Sequence, residues 1–521
     1  MRNAHTSKRS PPAGECQDEL VAAMMEPSFY PKPPNEVTHK ETHISHLFFA
    51  GDLVYKIKKP VRFSFLDYAT LGKRRYFLNQ ELQLNRRLAP SVYLAVMPIS
   101  LDGASWRLGG WSTPREYTLI MRRLPERRML PFLIRSGQVT DTMMRALAEI
   151  LAPFHAQAER VHKTATLYPS TVKKQWQENL ADLQPFFGTL IQEDAFAPVK
   201  KFGAAFIDAH HDLFARRMDE GWIRDVHGDL HCEHVCFAPE GIQIFDCIEF
   251  SPELRRCDLA SEIGFFLMDL KARGASAFVE PFLTRYLELL DDPDLRTLLP
   301  FYESYRALVR GKVEALRSTG PDSQAPRYFR HALRLTWTPL QPFLVIVCGL
   351  TGSGKSTLAR ELGERLGMPV INSDAIRKAI AGRSGRQAAP FNQGIYSATM
   401  TEKTYTRLAG EAEKQILDGT GAILDATFGR KSHREKIIRL AKQHNVPLLL
   451  IYCTAPDELT KRRLDQRALE GKDLSDGRWE VFLAQRSAVE PIEEIPSASC
   501  FKLSTDAPVE HLVRESERFL R

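Results

Sequence analysis

A glycine-rich segment behind a run of apolar residues constrains this chain most. The sequence GLTGSGKS from Gly349 to Ser356 follows the apolar run PFLVIVC and precedes the helical pattern TLARELGERLG. Glycines at this spacing let backbone N–H groups fold around phosphate oxygens, and the helix N-terminus adds the positive end of its dipole. A strand, a G-x-x-x-x-G-K-[ST] turn and a helix together predict a phosphate-binding loop in a parallel α/β domain.

Each position of this loop has an expected role. Lys355 is predicted to neutralise the β- and γ-phosphates of a nucleotide, and Ser356 to hold Mg²⁺, so ATP and Mg²⁺ are the expected cofactors. A glycine-rich turn that binds nothing is the alternative. The predicted nucleotide-binding residues are Gly349, Leu350, Thr351, Gly352, Ser353, Gly354, Lys355, Ser356 and Thr357.

The chain beyond residue 341 continues in the same pattern. Buried-type strands recur at TGAILDAT and VPLLLIYC, with helical segments between them, which favours a parallel α/β sheet. The segment TGAILDATF, from Thr420 to Phe428, carries Asp425 near its end. This carboxylate is predicted to be a second Mg²⁺ ligand, and the alternative is a turn residue at the end of a strand.

The stretch VINSDAIRK at 370–378 resembles the small P-loop kinases of the gluconate-kinase and polynucleotide-kinase-like group (AAA_33-type). In those enzymes an Asp after the second strand activates the acceptor hydroxyl, and an Arg three residues later contacts the acceptor. The resemblance assigns these roles to Asp374 and Arg377, against the alternative of a helix-capping Asp with a surface Arg. It also implies a lid carrying Arg463 and Arg467, which alternatively form a solvated basic face.

The N-terminal half follows a different pattern. The segment HISHLFFAGDLVYKIKKPV predicts two strands joined at Gly51-Asp52, LGKRRYFLNQELQLNRRLAP a helix, and SVYLAVMPISL and TPREYTLIMRRL two further strands. The order is therefore β-β-α-β-β. Helices are expected over 141–220 and 258–315, with loops and short strands over 222–250.

The segment VHGDLHCEHVC at 226–236 places three histidines and two cysteines within eleven positions. His and Cys at short spacing suggest a zinc site. However, no second His/Cys pair follows at zinc-finger spacing. A catalytic loop with Asp229 as its base is the favoured interpretation, and an ordinary polar loop is the remaining one.

Taken together, the β-rich opening, the helical region and HGDLH resemble the aminoglycoside-phosphotransferase-like, protein-kinase-like fold. The resemblance makes Asp229 the catalytic base, braced by His227. It implies that Lys56, with Lys58 as a rival, holds the nucleotide phosphates and pairs with Glu81. It further implies that His234 and Asp246, the latter at the end of IQIF, are metal ligands. The resemblance also implies that MRRLP at 121–125 is the hinge whose backbone binds adenine.

Two departures from that pattern affect what this half can do. No G-x-G-x-x-G precedes Lys56, and His234 stands where the pattern usually has Asn. Because Mg²⁺ prefers oxygen ligands, an imidazole weakens the metal site or shifts it toward Mn²⁺. The N-terminal half is therefore either a second kinase or a nucleotide-binding or regulatory module without turnover.

Both halves together resemble a bacterial family that fuses an aminoglycoside-phosphotransferase-like domain to a P-loop kinase domain. The stretches that carry this resemblance are ETHISHLFFAGDLVYKIKKPV and FDCIEF. The expected organisation is a disordered tail (1–24), a kinase-like α+β domain (25–317), a linker (318–340) and a P-loop α/β domain (341–521). The expected function is ATP-dependent phosphotransfer to small molecules by both halves. The alternative is that only the P-loop half is active, on a small metabolite, a nucleotide-sugar or a nucleic-acid end.

Composition and charge limit the classes of molecule that the chain is expected to bind. The net charge of +7 is spread along a chain with 43% hydrophobic and 26% charged residues, which suits anionic substrates. No aromatic-interleaved basic patch lies near the P-loop, so nucleic acid is not an expected partner. Eight cysteines without regular spacing, no N-terminal apolar core and no apolar run of about 18–20 residues predict a cytoplasmic protein without membrane contact. The acceptors and the oligomeric state are not fixed by sequence, because a fold does not determine its substrate.

Overall fold

The computed structural model describes residues 13–63, 66–162, 164–191, 193–318, 320, 323–337, 340–382, 396–470 and 478–520, with the backbone alone at 13–16, 193–195 and 467–470. The chain divides into two compact units. The N-terminal unit comprises Met1–Pro185 and Gly203–Ser318, and the C-terminal unit comprises Phe186–Phe202 and Thr319–Arg521.

The N-terminal unit is built on a six-stranded antiparallel sheet with the order β1-β2-β3-β8-β6-β7. Its strands are β1 (Val37–Glu41), β2 (Ser45–Ala50), β3 (Leu53–Lys58), β6 (Tyr93–Asp102), β7 (Ser105–Leu108) and β8 (Pro114–Arg122). Three two-stranded sheets accompany it: β4 (Arg62–Phe63) with β5 (Leu66–Asp67), β9 (Ile223–Asp225) with β12 (Arg256–Asp258), and β10 (Val235–Ala238) with β11 (Gly241–Ile244).

Helices supply the rest of this unit, and α6 is shared between the two units. They are α1 (Ala13–Met25), α2 (Leu71–Asn85), α3 (Leu130–Arg135), α4 (Asp141–Gln157), α5 (Tyr168–Ala181), α6 (Glu193–Ala209), α7 (His211–Asp219), α8 (Pro252–Arg255), α9 (Leu259–Ala272), α10 (Val279–Leu289) and α11 (Leu295–Arg317).

Strand β3 shows how the sheet separates its two faces. Tyr55 and Ile57 enter a cluster with Leu20 and Met24 of α1, whereas Val54 enters a second cluster with residues of α2. Side chains alternate along a strand, so Lys56 and Lys58 share the α2 face with Val54. The alternation therefore brings two lysines under the one helix that carries Glu81.

The C-terminal unit is a five-stranded, wholly parallel sheet with the order β14-β15-β13-β16-β17. The strands are β13 (Leu344–Cys348), β14 (Val370–Asn372), β15 (Ala422–Asp425), β16 (Leu448–Thr454) and β17 (Cys500–Ser504). The helices are α12 (Ala325–Leu335), α13 (Lys355–Leu366), α14 (Ser373–Ile380), α15 (Ala398–Leu417), α16 (Lys431–Gln443), α17 (Asp457–Glu470), α18 (Trp479–Ala488) and α19 (Val509–Leu520).

Helices cover both faces of this parallel sheet. The central strand β13 is buried at every position, with Leu344 and Ile346 in the core cluster of α15 and α16, and Val345 and Val347 in that of α13 and α19. A strand buried on both faces has a continuous apolar sequence, which is how LVIVC was interpreted. The prediction of a parallel α/β arrangement here is confirmed.

The expectation of a disordered tail up to residue 24 is wrong for residues 13–24, which form α1. Leu20 and Met24 are 1% and 0% exposed and pack in one cluster with Phe48 of β2. Burial of these two side chains against the sheet stabilises the helix beyond what its length alone would support. Residues 1–12 lie outside the described part of the chain.

The expectation of a linker over 318–340 also needs correction, because Ala325–Leu335 form α12 in the C-terminal unit. Pro326 was interpreted as a linker residue, yet it stands in the first turn of α12. Proline is tolerated there because a backbone N–H at this position would have no acceptor within the helix. Tyr328 and Phe329 of this helix are buried. The other domain boundaries stay predictions.

Most element predictions in the N-terminal half are confirmed: the hairpin β2–β3, helix α2, and strands β6 and β8. Strand β1 was missed, because VTHKE is polar and four of its five side chains are at least partly exposed. Within the described residues, no helix is both long enough and apolar enough to cross a membrane.

Candidate active sites

The phosphate-binding loop of the C-terminal unit lies between β13 and α13, as its sequence predicted. Gly349 has φ 147°, and a Cβ there would lie 2.5 Å from the carbonyl oxygen of Cys453. Gly354 caps α13 in the left-handed region, with φ 80°. Only glycine fits both positions without strain, so the loop can wrap closely around an anion at the start of the helix.

Two hydroxyls of this loop are buried without a hydrogen-bond partner. Thr351 and Ser353 are 5% and 4% exposed, and their Oγ1 and Oγ atoms contact no donor or acceptor. Buried polar groups in folded proteins nearly always have a partner, so both hydroxyls are available to a phosphate oxygen held by the loop.

Asp425 lies at the same edge of the sheet. The register of β14 on β15 sets Asn372 opposite Asp425, and the Asn372 Nδ2 donates to Asp425 Oδ2 over 2.6 Å. Asp425 is 2% exposed, and its Oδ1 has no partner. One carboxylate oxygen is thus fixed and the other left open. Together with the exposed hydroxyl of Ser356 at the start of α13, this all-oxygen set fits Mg²⁺.

Asp374 and Arg377 stand one turn apart on α14, whose first turn is capped by the Asn372 side chain. They form an ion pair, and the Arg377 guanidinium lies 4.8 Å from the ring centroid of Tyr396. Arg377 is buried, and its Nε has no partner. The structure brings both residues to the carboxyl end of β14, beside the strand ends that carry the P-loop and Asp425.

Of the two arginines predicted to belong to a lid, the structure describes the side chain of one. Arg463 of α17 donates from Nη1 to Thr505 Oγ1 over 3.0 Å, and Thr505 Oγ1 donates to the Ser353 carbonyl over 2.7 Å. Arg463 is therefore linked to the P-loop through one hydroxyl. The side chain of Arg467 lies outside the described residues. The lid remains a prediction.

One contact of the loop was missed in the sequence. The backbone N–H of Thr351 donates to Gln485 Oε1 of α18 over 2.9 Å. The amide oxygen thereby occupies a donor of the kind that binds phosphate. No local pattern marks this glutamine, which is 134 residues away along the chain.

In the N-terminal unit, Lys56 links two carboxylates. Its Nζ lies 2.7 Å from Glu81 Oε1 and 3.6 Å from Asp246 Oδ1. Burial disfavours both charges, but the pairing holds the pKa of Lys56 well above and that of Glu81 below its usual range. The three residues named for this site are thus in contact.

Lys58 has a different environment. It is fully buried, with Nζ 2.9 Å from Glu81 Oε2 and 2.6 Å from Glu249 Oε1. The Tyr68 hydroxyl donates to the same Glu249 oxygen over 2.7 Å. Burial and Glu249 raise the pKa of Tyr68 far above its ordinary value. Lys58 is enclosed, whereas the Asp246 carboxylate that faces Lys56 is 49% exposed.

The HGD loop is held by a buried carboxylate beneath it. Glu262 of α9 accepts from the N–H groups of His227 and Gly228 over 2.9 and 3.0 Å. His227 Nε2 lies 2.8 Å from the Phe245 carbonyl, and burial lowers the pKa of His227 to about 3. A neutral His227 therefore ties the loop to the strand that leads to Asp246.

Asp229, His231 and His234 converge, with one ligand atom of each lying within 4.8 Å of the others. Asp229 Oδ2 is 3.5 Å from His231 Nε2 and 3.6 Å from His234 Nδ1, and His234 Nε2 is 3.5 Å from Asp246 Oδ2. Burial alone would raise the pKa of Asp229, but the two imidazoles hold it well below its usual range. His231 was not among the predicted residues.

A comparison with protein families identifies the type of the C-terminal domain. Residues 344–492 match the model of the AAA_33 family, described as an AAA domain. The matched range begins at β13 and extends beyond α18, so it includes the P-loop, Asp374, Asp425 and Gln485.

A second comparison covers most of the chain. The uncharacterised protein Rv2004c of Mycobacterium tuberculosis is 31% identical over 436 residues, which are 82% of this chain and 86% of that protein. The chain belongs to the same family as Rv2004c. The match spans more than either unit alone, so the family combines both halves in one chain.

Shorter matches relate to known enzymes. The cytidylate kinase of Methanothermobacter thermautotrophicus is 27% identical over 156 residues, covering 29% of this chain and 84% of that enzyme. The shikimate kinase of Paramagnetospirillum magneticum is 28% identical over 166 residues, covering 30% and 81%. With the family match, these establish a P-loop kinase domain in the C-terminal part.

Proposed function

We propose that the C-terminal unit transfers the γ-phosphate of ATP to a hydroxyl group of a small molecule. The observation that carries this proposal is the set of orphaned buried oxygens around the P-loop: Thr351 Oγ1, Ser353 Oγ and Asp425 Oδ1. They lie at the carboxyl edge of a parallel sheet, where ligands bind in open α/β folds.

The proposed roles follow from position and chemistry. Lys355, at the first turn of α13, neutralises the phosphates beside the backbone donors of the loop. Ser356 and Asp425 would hold Mg²⁺, which when bound shields the charge of the transferring group. Asp374 accepts the proton of the acceptor hydroxyl, and Arg377 orients Asp374 through their ion pair.

For the N-terminal unit, we infer a nucleotide-binding module built like a second kinase. Lys56 is the better phosphate ligand of the two candidate lysines, because its partner Asp246 is half-exposed whereas Lys58 is enclosed by Glu81 and Glu249. Asp229 is the base position, and residues 121–125 are the proposed adenine hinge. With two such sites the enzyme would be bifunctional.

A non-catalytic role for this module is the second candidate, and one observation favours it. The imidazole of His234, and not an amide oxygen, lies 3.5 Å from Asp246. The Mg²⁺ position of an active kinase is therefore altered. In this version the N-terminal unit binds nucleotide and regulates the P-loop unit without turnover.

The test of the P-loop proposal is a screen of hydroxyl-bearing metabolites for ADP release from Mg-ATP by the full chain. For acceptors whose turnover survives Asp229→Ala, Lys355→Ala should abolish release, while Lys442→Ala, an exposed lysine in the last turn of α16, should leave it unchanged. Release with such an acceptor that persists in Lys355→Ala would contradict the P-loop assignment.

The test of the N-terminal proposal uses Asp229→Ala in the same chain. Loss of a second, separate ADP-releasing activity would make this unit a kinase. Nucleotide binding to the Lys355→Ala chain, with no activity removed by Asp229→Ala, would make it a binding module.

A further inference from the structure

The side-chain amide of Gln485 has a defined orientation at the phosphate-binding loop. Thr351 donates its backbone N–H to Gln485 Oε1 over 2.9 Å. A backbone N–H can only donate, so the amide oxygen faces the loop and the two hydrogens of Nε2 lie on the other branch of the amide. Among the residues that the structure describes, none accepts a hydrogen bond from this Nε2. The amide therefore presents two unused donors beside the loop.

The residues that follow Gln485 tie it to a second part of the site. The N–H of Glu490, just beyond α18, donates to the Gly429 carbonyl over 2.8 Å, and Glu490 Oε2 accepts the Lys431 N–H over 2.5 Å. Gly429 and Lys431 follow strand β15, which ends in Asp425. Gln485 is thus linked to the P-loop by its side chain and to the chain beyond Asp425 by the residues that follow it.

This location matters because of the strand order. In the sheet, β15 stands between β13, which leads into the P-loop, and β14, which leads to Asp374. A phosphoryl group that passes from the loop to an acceptor at Asp374 has to cross the carboxyl end of β15. The chain beyond β15 is the one that holds the end of α18. Gln485 therefore belongs to the side of the loop on which the γ-phosphate is transferred.

The direction of the amide is also fixed from α17. Arg486, the next residue of α18, donates from Nη1 to Asp457 Oδ2 over 2.6 Å. Its guanidinium lies 5.3 Å from the ring centroid of Phe482, which is itself buried. A donor that is held in place before the ligand arrives loses little on binding it, and such preorganised donors stabilise developing charge most.

The arginines expected at this site are already engaged, whereas the amide is not. Arg377 is paired with Asp374, and Arg463 donates to the Thr505 hydroxyl and carbonyl. The amide of Gln485 accepts the loop N–H, and hydrogen bonds in a chain polarise one another. Its Nε2 hydrogens are therefore stronger donors than those of an amide whose oxygen has no partner.

We propose that Gln485 is a phosphate-contacting residue, whose Nε2 donates to the γ-phosphate of the nucleotide while its Oε1 keeps the Thr351 N–H. The Oγ1 of Thr351 and the Oγ of Ser353 are buried without a partner, so an anion on the loop meets the residue that Gln485 contacts. Hydrogen bonds to a charged phosphate are stronger than those between neutral groups. The inference rests on the proposed phosphotransfer by the P-loop unit, which brings the γ-phosphate to this edge of the sheet.

The test compares a nucleotide that has a γ-phosphate with one that lacks it. The full chain is titrated by calorimetry with Mg-AMPPNP, a non-hydrolysable ATP analogue, and with Mg-ADP. The binding component that Lys355→Ala removes is assigned to the P-loop. Gln485→Glu keeps an oxygen for the Thr351 N–H but replaces both donors by a charged oxygen. We expect it to reduce the preference of the P-loop for AMPPNP over ADP about 10–100-fold, as for a lost hydrogen bond to a charged group.

Two further variants complete the comparison. Gln485→Leu loses both contacts of the amide, and it should reduce the preference for AMPPNP about tenfold. It is also the variant to be measured if Gln485→Glu does not fold. The matched control is Gln443→Glu, which makes the same chemical change at an exposed glutamine at the end of α16. This control should keep the preference of the wild-type chain.

An unchanged preference in the Gln485 variants would overturn the proposal. Equal weakening of AMPPNP and ADP would also overturn it, because Gln485 would then only support the loop. Tighter binding of both nucleotides by Gln485→Leu would show that the amide blocks the loop, which again contradicts the contact. These results leave the proposed function intact as long as Lys355→Ala removes a binding component. If no component depends on Lys355, the proposed function fails and this contact fails with it.

Discussion

The two candidate sites differ in whether their polar and charged side chains already have partners within the protein. Around the P-loop, the Thr351 and Ser353 hydroxyls and one oxygen of Asp425 are buried without a partner. In the N-terminal unit, by contrast, Lys56, Lys58, Glu81 and Glu249 already satisfy one another. The first site is completed by what it binds, whereas the second is held together by its own ion pairs. Substitutions should therefore reduce catalysis in one site and stability in the other.

The largest effect is expected from Asp374→Asn in the C-terminal unit. Loss of a positioned general base costs about 10²–10⁴-fold in rate, so kcat should fall by that amount while the KM for ATP changes little. Steady-state kinetics with an identified acceptor measures both. Asp418→Asn, at the exposed end of α15, serves as the control and should not alter either constant. An unchanged kcat for Asp374→Asn would remove the proposed base.

Lys58→Met probes the stability side of the comparison. The lysine is fully buried between Glu81 and Glu249, and breaking a buried pair leaves an uncompensated charge that costs about 3–5 kcal/mol. Native-state hydrogen exchange of peptides from β3 and α2 should show this loss. Lys59→Met, which removes the pair with the exposed Glu41, should change far less. Equal effects of the two variants would contradict a structural role for Lys58.

Gly349→Ala tests the shape of the P-loop. The new Cβ would lie 2.5 Å from the Cys453 carbonyl at a backbone φ of 147°, a strain of about 1–3 kcal/mol. We expect reduced protection of β13 in hydrogen exchange and weaker ATP binding by calorimetry. Gly410→Ala, with open space around its Cβ on helix α15, should instead stabilise the chain by roughly 0.5–1 kcal/mol. ATP binding by Gly349→Ala as tight as that of the wild-type chain would show that the backbone at residue 349 tolerates a Cβ.

The stability of the C-terminal unit should also depend on pH. Burial lowers the pKa of His433, which stacks on Tyr405, to about 4 from an ordinary value of 6.5. Between pH 6.5 and 4, His433 binds a proton in the unfolded chain but not in the folded chain. The stability contribution is therefore present above pH 6.5 and lost as the pH falls toward 4, by an amount on the order of 1–3 kcal/mol.

Denaturant unfolding of the wild-type chain and His433→Gln at pH 4 to 7.5 measures this contribution. The difference in unfolding free energy between the two chains should shrink as the pH falls. A difference that stays constant across that range would show that His433 does not titrate as described.

The sequence predicted those parts of each site that lie close together along the chain. The P-loop is contiguous, and Asp374 and Asp425 follow apolar strands whose carboxyl ends must meet in a parallel sheet. Contacts set by the packing of distant elements were missed. Gln485 reaches Thr351 from α18, and Glu249 reaches Lys58 across 191 residues, with no local spacing to mark either.

The errors in the fold have a related cause. The tail boundary was placed at residue 24, although DELVAAMMEPSFYP from Asp18 was itself interpreted as a short helix closed by prolines, and the linker was placed at 318–340 because STGPDSQAPR is polar with two prolines. Leu20 in α1 and Phe329 in α12 are buried. Packing against other elements stabilises these helices, and the sequence of a short segment does not show which element will pack against it.

The most direct test of the account measures ADP release in Mg²⁺ for three full-length chains, with any acceptor that the screen identifies. The central claim is that phosphate transfer from Mg-ATP to this acceptor is catalysed by the P-loop unit and not at the N-terminal site around Asp229. Lys355→Ala should lose the Mg²⁺-supported rate by about a thousandfold, as expected when charge stabilisation of the transition state is removed, and Asp229→Ala should retain it. A rate that survives in Lys355→Ala and falls in Asp229→Ala would contradict the account.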